Sequence, residues 1–171
     1  IRGSVIWGAL FDDADGTTAR AARMGALVSM RGPDSRVFGI VNGFGRFNEW
    51  SPWFELDPHA KYEAEGPASG VGAALRWRGD PDAVGTGSIR IVESRPPESV
   101  TTEIVFGPLG GVRSRFVLSP FGDGTKVAWD LDADLGANPF GRYLGPFLDW
   151  FVGRDFERGL ERLKALAERG V

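Results

Sequence analysis

The sequence predicts an α+β fold in which a curved, seven-strand antiparallel sheet wraps around a long C-terminal helix, with two short helices after the first strand. Two observations lead to this prediction. Between residues 61 and 131, short runs of alternating apolar and polar residues recur roughly every 10 residues, separated by Gly- and Pro-containing turns, as in an antiparallel meander. From 139 to 169 the apolar residues recur with helical spacing. One apolar sheet face covered by one long helix is the helix-grip arrangement.

The predicted elements follow in a regular order. We expect the first strand at 26–31, a short helix through 37–41, and a second short helix over 46–50 that stops before Pro52. Six more strands are expected at 61–65, 73–78, 87–94, 100–106, 112–119 and 125–131. Their alternation makes one face apolar and the other charged, and Arg113 and Arg115 are expected on the charged face within reach of Glu103.

The helix predicted at 139–169 carries an apolar stripe that would face the sheet. The stripe comprises Leu144, Leu148, Phe151, Val152, Phe156, Leu160, Leu163 and Ala167. Two glycines, Gly153 and Gly159, also lie in this helix, where each costs about 1 kcal/mol relative to alanine. We therefore expect the helix to approach a strand closely at these positions.

Composition excludes several classes of function. The absence of Cys rules out disulfides, thiolate metal sites and cysteine nucleophiles, and a single His rules out two-His metal sites. The net charge of −3 provides no broad basic surface for nucleic acid. We therefore predict no metal, no cofactor and no nucleic-acid partner.

The chain is predicted to form one domain with an extension. One domain is the default at 171 residues, and we expect an N-terminal extension of uncertain structure at 1–22, followed by the domain at 23–171. No apolar run is long enough for a transmembrane helix, so no stable membrane insertion is expected. The expected location is cytoplasmic, or membrane-tethered if an N-terminal anchor was removed.

Five segments carry a family resemblance. They read FNEWSPW at 47–53, GPASGVG at 66–72, GTGSIRIVE at 85–93, GDGTKVAW at 122–129 and VGRDFERGL at 152–160. In this order they resemble the polyketide cyclase/dehydrase-like branch of the START-like (SRPBCC) superfamily. The resemblance implies a START-like helix-grip domain with a cavity between sheet and helix that binds a hydrophobic or amphipathic small molecule of lipid, polyketide or aromatic type.

Candidate ligand-binding residues are the inward strand positions and the aromatic residues near the expected cavity. They are Trp50, Trp53, Trp77, Ile91, Thr102, Ile104, Ser114, Phe116, Trp129, Phe147 and Phe151. Inward hydroxyls need hydrogen-bond partners, which a ligand or a water molecule would supply. The alternative for the strand positions is ordinary core packing, and Trp50 would then plug the core where the short helices meet the sheet.

Candidate catalytic residues are Glu93, Thr102 and Ser114. Glu93 shares the parity of Ile89 and Ile91, so in a regular strand it would point inward and could act as a general acid or base. The alternative is that the strand ends or bulges there and leaves Glu93 in solvent.

Three functions remain open from the sequence. The first is binding of a small hydrophobic ligand. The second is an enzyme of the cyclase, dehydratase or hydrolase type that uses polar groups in the cavity. The third is a co-chaperone-like protein-interaction module, and a homodimer is also left open.

Overall fold

The computed structural model describes residues 21–107, 111–134 and 158–169. The first strand, β1 (Ala21–Arg31), leads into three short helices, α1 (Asp34–Val41), α2 (Phe47–Trp50) and α3 (Trp53–Leu56). Six strands follow: β2 (Lys61–Glu65), β3 (Ala74–Arg78), β4 (Thr86–Arg95), β5 (Ser99–Phe106), β6 (Gly111–Phe121) and β7 (Gly124–Asp134). A C-terminal helix, α4, is described at 158–168.

The seven strands form one antiparallel sheet in the order β1-β7-β6-β5-β4-β3-β2. Strands β2 to β7 are a meander in which each strand pairs with the next. β1 pairs along its whole length with β7, so the three short helices carry the chain from one edge of the sheet to the other. The predicted helix-grip fold is confirmed.

The prediction of two short helices was incomplete, because a third one follows Pro52. Pro52 has φ −65° and ψ −30°, which are helical values, and it precedes the single turn at Trp53–Leu56. Proline is tolerated at a helix start, where its missing N–H has no intrahelical partner to lose. The first strand also begins at Ala21 instead of residue 26, because its pairing with β7 continues that far.

A β-bulge in β4 determines where Glu93 lies. Ile91 pairs with Thr102 but Glu93 pairs with Thr101, so Val92 is an extra residue and the alternation reverses after it. Glu93 is exposed, so the alternative of a bulge that leaves Glu93 in solvent is confirmed, and the inward orientation expected for a regular strand is not observed. Ser94 donates a hydrogen bond to Asn42 Oδ1 at 2.8 Å and so ties β4 to the end of α1.

The core lies between the sheet, the short helices and α4. Val37, Ile91, Val100, Val127 and Leu163 are completely buried within it. α4 is anchored at two points, by Arg162 to Glu55 of α3 and by Glu168, which accepts the backbone N–H of Arg31 at 2.9 Å. No helix among the described residues is both long and apolar enough to cross a membrane.

The described part of α4 agrees with the predicted apolar stripe. Leu160, Leu163 and Ala167 are buried. A Cβ on Gly159 would lie 3.0 Å from Pro52 Cδ and 3.3 Å from Trp129 Cζ3, so the predicted close approach to a strand is confirmed at this glycine. Residues 139–157, which include Gly153, lie outside the described residues.

The outer face of the sheet is charged, as predicted. Arg113 Nη2 lies 2.9 Å from Glu103 Oε1 on the neighbouring strand, and both side chains are more than half exposed. An exposed ion pair of this kind contributes at most about 1 kcal/mol to stability. It therefore indicates which face of the sheet is exposed to solvent but adds little to the stability of the fold.

Gly39→Ala is expected to stabilise the protein by about 0.5–1 kcal/mol, because Gly39 lies inside α1 and glycine is a poor helix former. A Cβ at Gly39 would meet nothing within 4 Å. Urea denaturation should show a higher midpoint with an unchanged slope. Gly79→Ala is the control that should lower the midpoint, because its Cβ would lie 2.4 Å from Asp57 Oδ2. A lowered midpoint for Gly39→Ala would contradict the expectation.

Candidate ligand-binding site

A row of four residues crosses the inner face of the sheet near one edge. Tyr62 pairs with Trp77, Trp77 with Gly87, and Gly87 with Phe106, so the row runs over β2, β3, β4 and β5. Gly87 has no side chain, and the Trp77 indole occupies that space: a Cβ there would lie 2.2 Å from Trp77 Cζ2. Trp77 Nε1 donates to the Val84 carbonyl at 3.1 Å, which fixes the orientation of the ring.

Three residues from other elements close over this row. Phe47 comes from α2, Trp53 from α3 and Val84 from the loop between β3 and β4. Together with the side chains of the row they line an apolar pocket: Phe47, Trp53, Tyr62, Trp77, Val84 and Phe106. The pocket encloses about 290 Å³ including its open mouth, but it is narrow, and only about one water molecule fits between the side chains. A larger ligand would therefore have to displace a lining ring.

An aromatic cluster connects this pocket to the core. Trp129 stacks on Phe116 with ring centroids 4.8 Å apart, and Trp50 meets both rings edge-on at 5.8 Å. Phe47 contacts Trp50 at 5.3 Å, and Trp53 contacts Trp129 at 6.2 Å. The wall of the pocket is therefore continuous with the packed interior.

The structure divides the predicted ligand-binding residues into three groups. Trp53 and Trp77 line the pocket. Seven others are buried in the core, each at most 4% exposed: Trp50, Ile91, Thr102, Ile104, Ser114, Phe116 and Trp129. Phe147 and Phe151 lie outside the described residues.

The predicted inward hydroxyls have partners within the protein. Ser114 Oγ accepts a hydrogen bond from Trp129 Nε1 at 2.7 Å. Thr102 Oγ1 lies 3.5 Å from the Ser114 carbonyl, a long contact. Neither hydroxyl therefore requires a ligand, and Glu93 is on the exposed face. The three catalytic candidates Glu93, Thr102 and Ser114 therefore do not lie together at the pocket.

Sequence reasoning missed four residues of the pocket: Phe47, Tyr62, Val84 and Phe106. Phe106 had a usable signal, since it alternates with the inward Thr102 and Ile104. Tyr62 is the one aromatic residue of the short β2. Val84 had no usable sequence signal, because it lies in a turn, where the residues do not alternate between two faces.

Two buried polar atoms have no hydrogen-bond partner within the described part of the chain. They are Trp50 Nε1 and Ser51 Oγ, on residues that are 3% and 0% exposed. An unsatisfied buried donor costs about 1–3 kcal/mol. A water molecule or a ligand oxygen at the junction of α2 and α3 would remove that cost.

Asp57 ties the loop after α3 to the loop that carries Val84. Its carboxylate accepts the backbone N–H of Asp80 at 2.8 Å and that of His59 at 3.0 Å. The hydrogen bond from the Asp80 backbone is the largest effect on the pKa of Asp57, and it lowers that pKa. Burial opposes this effect, and the hydrogen bond from the His59 backbone lowers the pKa further. Burial, and then the charge of Asp57, raise the pKa of Tyr62, so Tyr62 is a neutral phenol at physiological pH.

Asp57→Asn is expected to lower the melting temperature at neutral pH. Because the folded pKa is lowered, ionised Asp57 contributes stability above its ordinary pKa, and that contribution is lost as the pH falls through the folded value. The difference between variant and wild type should therefore shrink below about pH 4. Thermal unfolding from pH 3 to 8 measures it, with Asp123→Asn in an exposed turn as the control. If the difference in melting temperature between Asp57→Asn and the wild type did not change with pH, the proposed contribution of the Asp57 charge to stability would be contradicted.

The fold and the apolar inner pocket define a helix-grip protein with a candidate ligand-binding site under its sheet. Residues 28–168 match the sequence model of the family described as polyketide cyclase / dehydrase and lipid transport. The chain belongs to this family. No curated protein matches it.

Solved structures show the same fold at low sequence identity. The di-domain ARO/CYC StfQ from the steffimycin biosynthetic pathway has a TM-score of 0.64 and 16% identity, over 88% of this chain and 52% of that one. Protein CV1439 from Chromobacterium violaceum has a TM-score of 0.58 and 17% identity, over 85% and 97%. The Aha1 dimer from Colwellia psychrerythraea has a TM-score of 0.56 and 15% identity, over 87% and 98%. At these identities the likeness concerns the fold alone.

Proposed function

We propose that the protein binds a hydrophobic or amphipathic small molecule of lipid, polyketide or aromatic type at the apolar pocket on the inner face of its sheet. The observation that carries the proposal is convergence: six apolar or aromatic side chains from six parts of the chain meet at one opening. Pockets lined mainly by apolar and aromatic residues with few polar groups are typical of small-molecule sites.

The narrowness of the pocket suggests how a ligand would enter. Trp53, Tyr62 and Phe106 are only partly buried, so one of these rings can move while the Trp77 indole keeps its hydrogen bond to Val84. A flat aromatic or alkyl group would take the place of one ring and stack on the others. Stacked or edge-on aromatic contacts contribute about 0.5–1.5 kcal/mol each beyond the area they bury.

The binding proposal is tested by thermal unfolding with fatty acids, sterol-like compounds and polyaromatic compounds. A ligand at 100 times its Kd stabilises the fold by about 2.7 kcal/mol, which is a shift of about 5–10 °C for a chain of this size. Trp77→Ala should weaken binding of the best compound by about tenfold or more, because a large apolar surface is lost. Val71→Ala, at a residue that is 60% exposed, is the control. No shift with any class, or equal binding by Trp77→Ala, would reject the proposal.

A cyclase- or dehydratase-type enzyme is the second candidate, and Tyr62 is the observation that favours it. Tyr62 carries the only ionisable group among the six residues that line the pocket. As a neutral phenol it would donate a hydrogen bond to a ligand carbonyl. Tyr62→Phe should then preserve ligand binding but abolish turnover, whereas equal turnover would exclude this role.

A co-chaperone-like interaction module has less support. The exposed large apolar side chains among the described residues are Leu56, Val71, Val105 and Phe121. They lie on α3, the turn after β2, β5 and β6, so they come from four separate parts of the chain. A protein-binding site is marked by a contiguous exposed apolar patch, and four such residues do not by themselves establish one.

A further inference from the structure

A second concave region lies on the outer face of the sheet, opposite the apolar pocket. It is a groove of about 1010 Å³ including its open mouth, over β2 to β5, lined by Lys61, Glu63, Arg76, Trp77, Arg78, Thr86, Gly87, Ser88, Val105 and Gly107. Most of these residues flank the inner row by one position in each strand. Their side chains therefore project to the opposite face of the sheet.

The groove has an excess of positive charge. Lys61 and Arg78 are direct cross-strand partners, an arrangement in which like charges repel. Neither residue forms an ion pair within the described part of the chain. Arg76 pairs with Glu65 at 3.1 Å, and Glu63 is the one acidic residue that lines the groove. This excess is notable in a chain whose net charge is −3.

Hydroxyl groups lie beside these cations. Thr86 pairs with Arg78, and Ser88 pairs with Arg76, so each guanidinium has a hydroxyl on the adjacent strand. A guanidinium fork matches two phosphate oxygens, an ammonium contributes a point charge, and a hydroxyl donates one further hydrogen bond. Phosphate carries nearly two charges and three acceptor oxygens, which suits such a donor set.

We propose that the outer groove binds a phosphate-bearing ligand, with the phosphate held by Lys61, Arg78 and Thr86. The volume exceeds that of one phosphate, so the organic part of the ligand lies along Ser88 and the exposed Val105. The groove and the apolar pocket lie on opposite faces of the sheet, and Trp77 is the one described residue that lines both. A soluble phosphate monoester and a phospholipid headgroup share this chemistry.

Titration of the ¹⁵N-labelled full chain with inorganic phosphate and with glycerol phosphate tests the proposal. Saturable shifts are expected at the amides of Thr86, Gly87 and Ser88. The double variant K61A/R78A should weaken binding by about tenfold, since two charged contacts are lost. Glu63→Gln should strengthen it, because the acidic residue that lines the groove is neutralised. Arg113→Ala is the matched control, because Arg113 lies on the outer face but is paired with Glu103, and this variant should leave phosphate binding unchanged.

Sedimentation with vesicles separates the two sources of phosphate. If the protein binds phosphatidylglycerol vesicles but not phosphatidylcholine vesicles, and K61A/R78A loses this binding, the ligand is a lipid headgroup. If glycerol phosphate gives saturable shifts but the vesicles do not bind, the ligand is a soluble phosphate ester. Shifts that neither K61A/R78A nor Glu63→Gln alters, or no binding to either phosphate source, would overturn the proposal. Glu63→Gln keeps the test decisive if the double variant fails to fold.

Discussion

Trp129→Ala should lower the free energy of unfolding by about 3–5 kcal/mol. Trp129 is 1% exposed, stacks on Phe116 at 4.8 Å and donates a hydrogen bond to Ser114. Truncation would leave a cavity where β6, β7, α2 and α3 meet and would leave the Ser114 hydroxyl without its donor. Since domains are stable by only about 5–15 kcal/mol, this is a large fraction of the total. Guanidinium denaturation followed by circular dichroism measures it.

Two further variants separate the causes of that loss. Trp129→Phe keeps an aromatic ring but removes the N–H, and part of the loss should remain, including about 1 kcal/mol for the hydrogen bond. Phe121→Ala, at a side chain that is 57% exposed, should change stability by less than about 0.5 kcal/mol. A loss below about 1.5 kcal/mol for Trp129→Ala would show that the aromatic cluster is not a centre of the core.

Gly87→Ala should disable the apolar pocket, although it adds only one methyl group. The new Cβ would lie 2.2 Å from Trp77 Cζ2 and 2.5 Å from the Val105 carbonyl oxygen. Moving the Trp77 indole relieves only the first contact, because the second is with the backbone of β5. The indole and the local pairing of β4 with β5 must therefore both shift. We expect loss of the Trp77–Val84 hydrogen bond, at least a tenfold weaker affinity for the apolar ligand, and an overpacking cost of about 1–3 kcal/mol.

The indole N–H resonance of Trp77 and the ligand affinity measure this effect together. Gly45→Ala is the matched control, because its Cβ would meet nothing within 4 Å and its φ is not in the left-handed region. If Gly87→Ala bound ligand like the wild type with an unchanged indole resonance, the described floor of the pocket would be incorrect.

The sequence predicted the sheet well because each strand is local and bounded by turn residues. β2 was predicted with its observed bounds, and β5 and β7 agree except at their ends. At Glu93 the sequence left two alternatives open, a regular strand and a strand that ends or bulges, and it could not decide between them. The bulge depends on how β4 pairs with β5, and nothing at Val92 itself distinguishes an extra residue from a regular one. The parity of a regular strand therefore does not apply to Glu93, one residue after the bulge.

The pocket was predicted only in part for a related reason. Alternation shows which face a residue occupies but not which residues on other strands lie beside it. Tyr62, Trp77 and Phe106 meet because three registers place them in one row, and a gap at Gly87 lets the indole lie flat. Ser114 shows the opposite error: an inward hydroxyl suggested a ligand, but Trp129, a distant residue on the next strand, satisfies it.

The central claim is that an apolar ligand binds between Val84 and the aromatic row under the sheet. The most direct test measures nuclear Overhauser effects between the best-binding compound and the valine methyl groups of the labelled protein. The account predicts contacts to the methyls of Val84, which lines the pocket, and none to Val71, which is 60% exposed on a distant turn. A bound ligand that shows no contact to Val84 would contradict it.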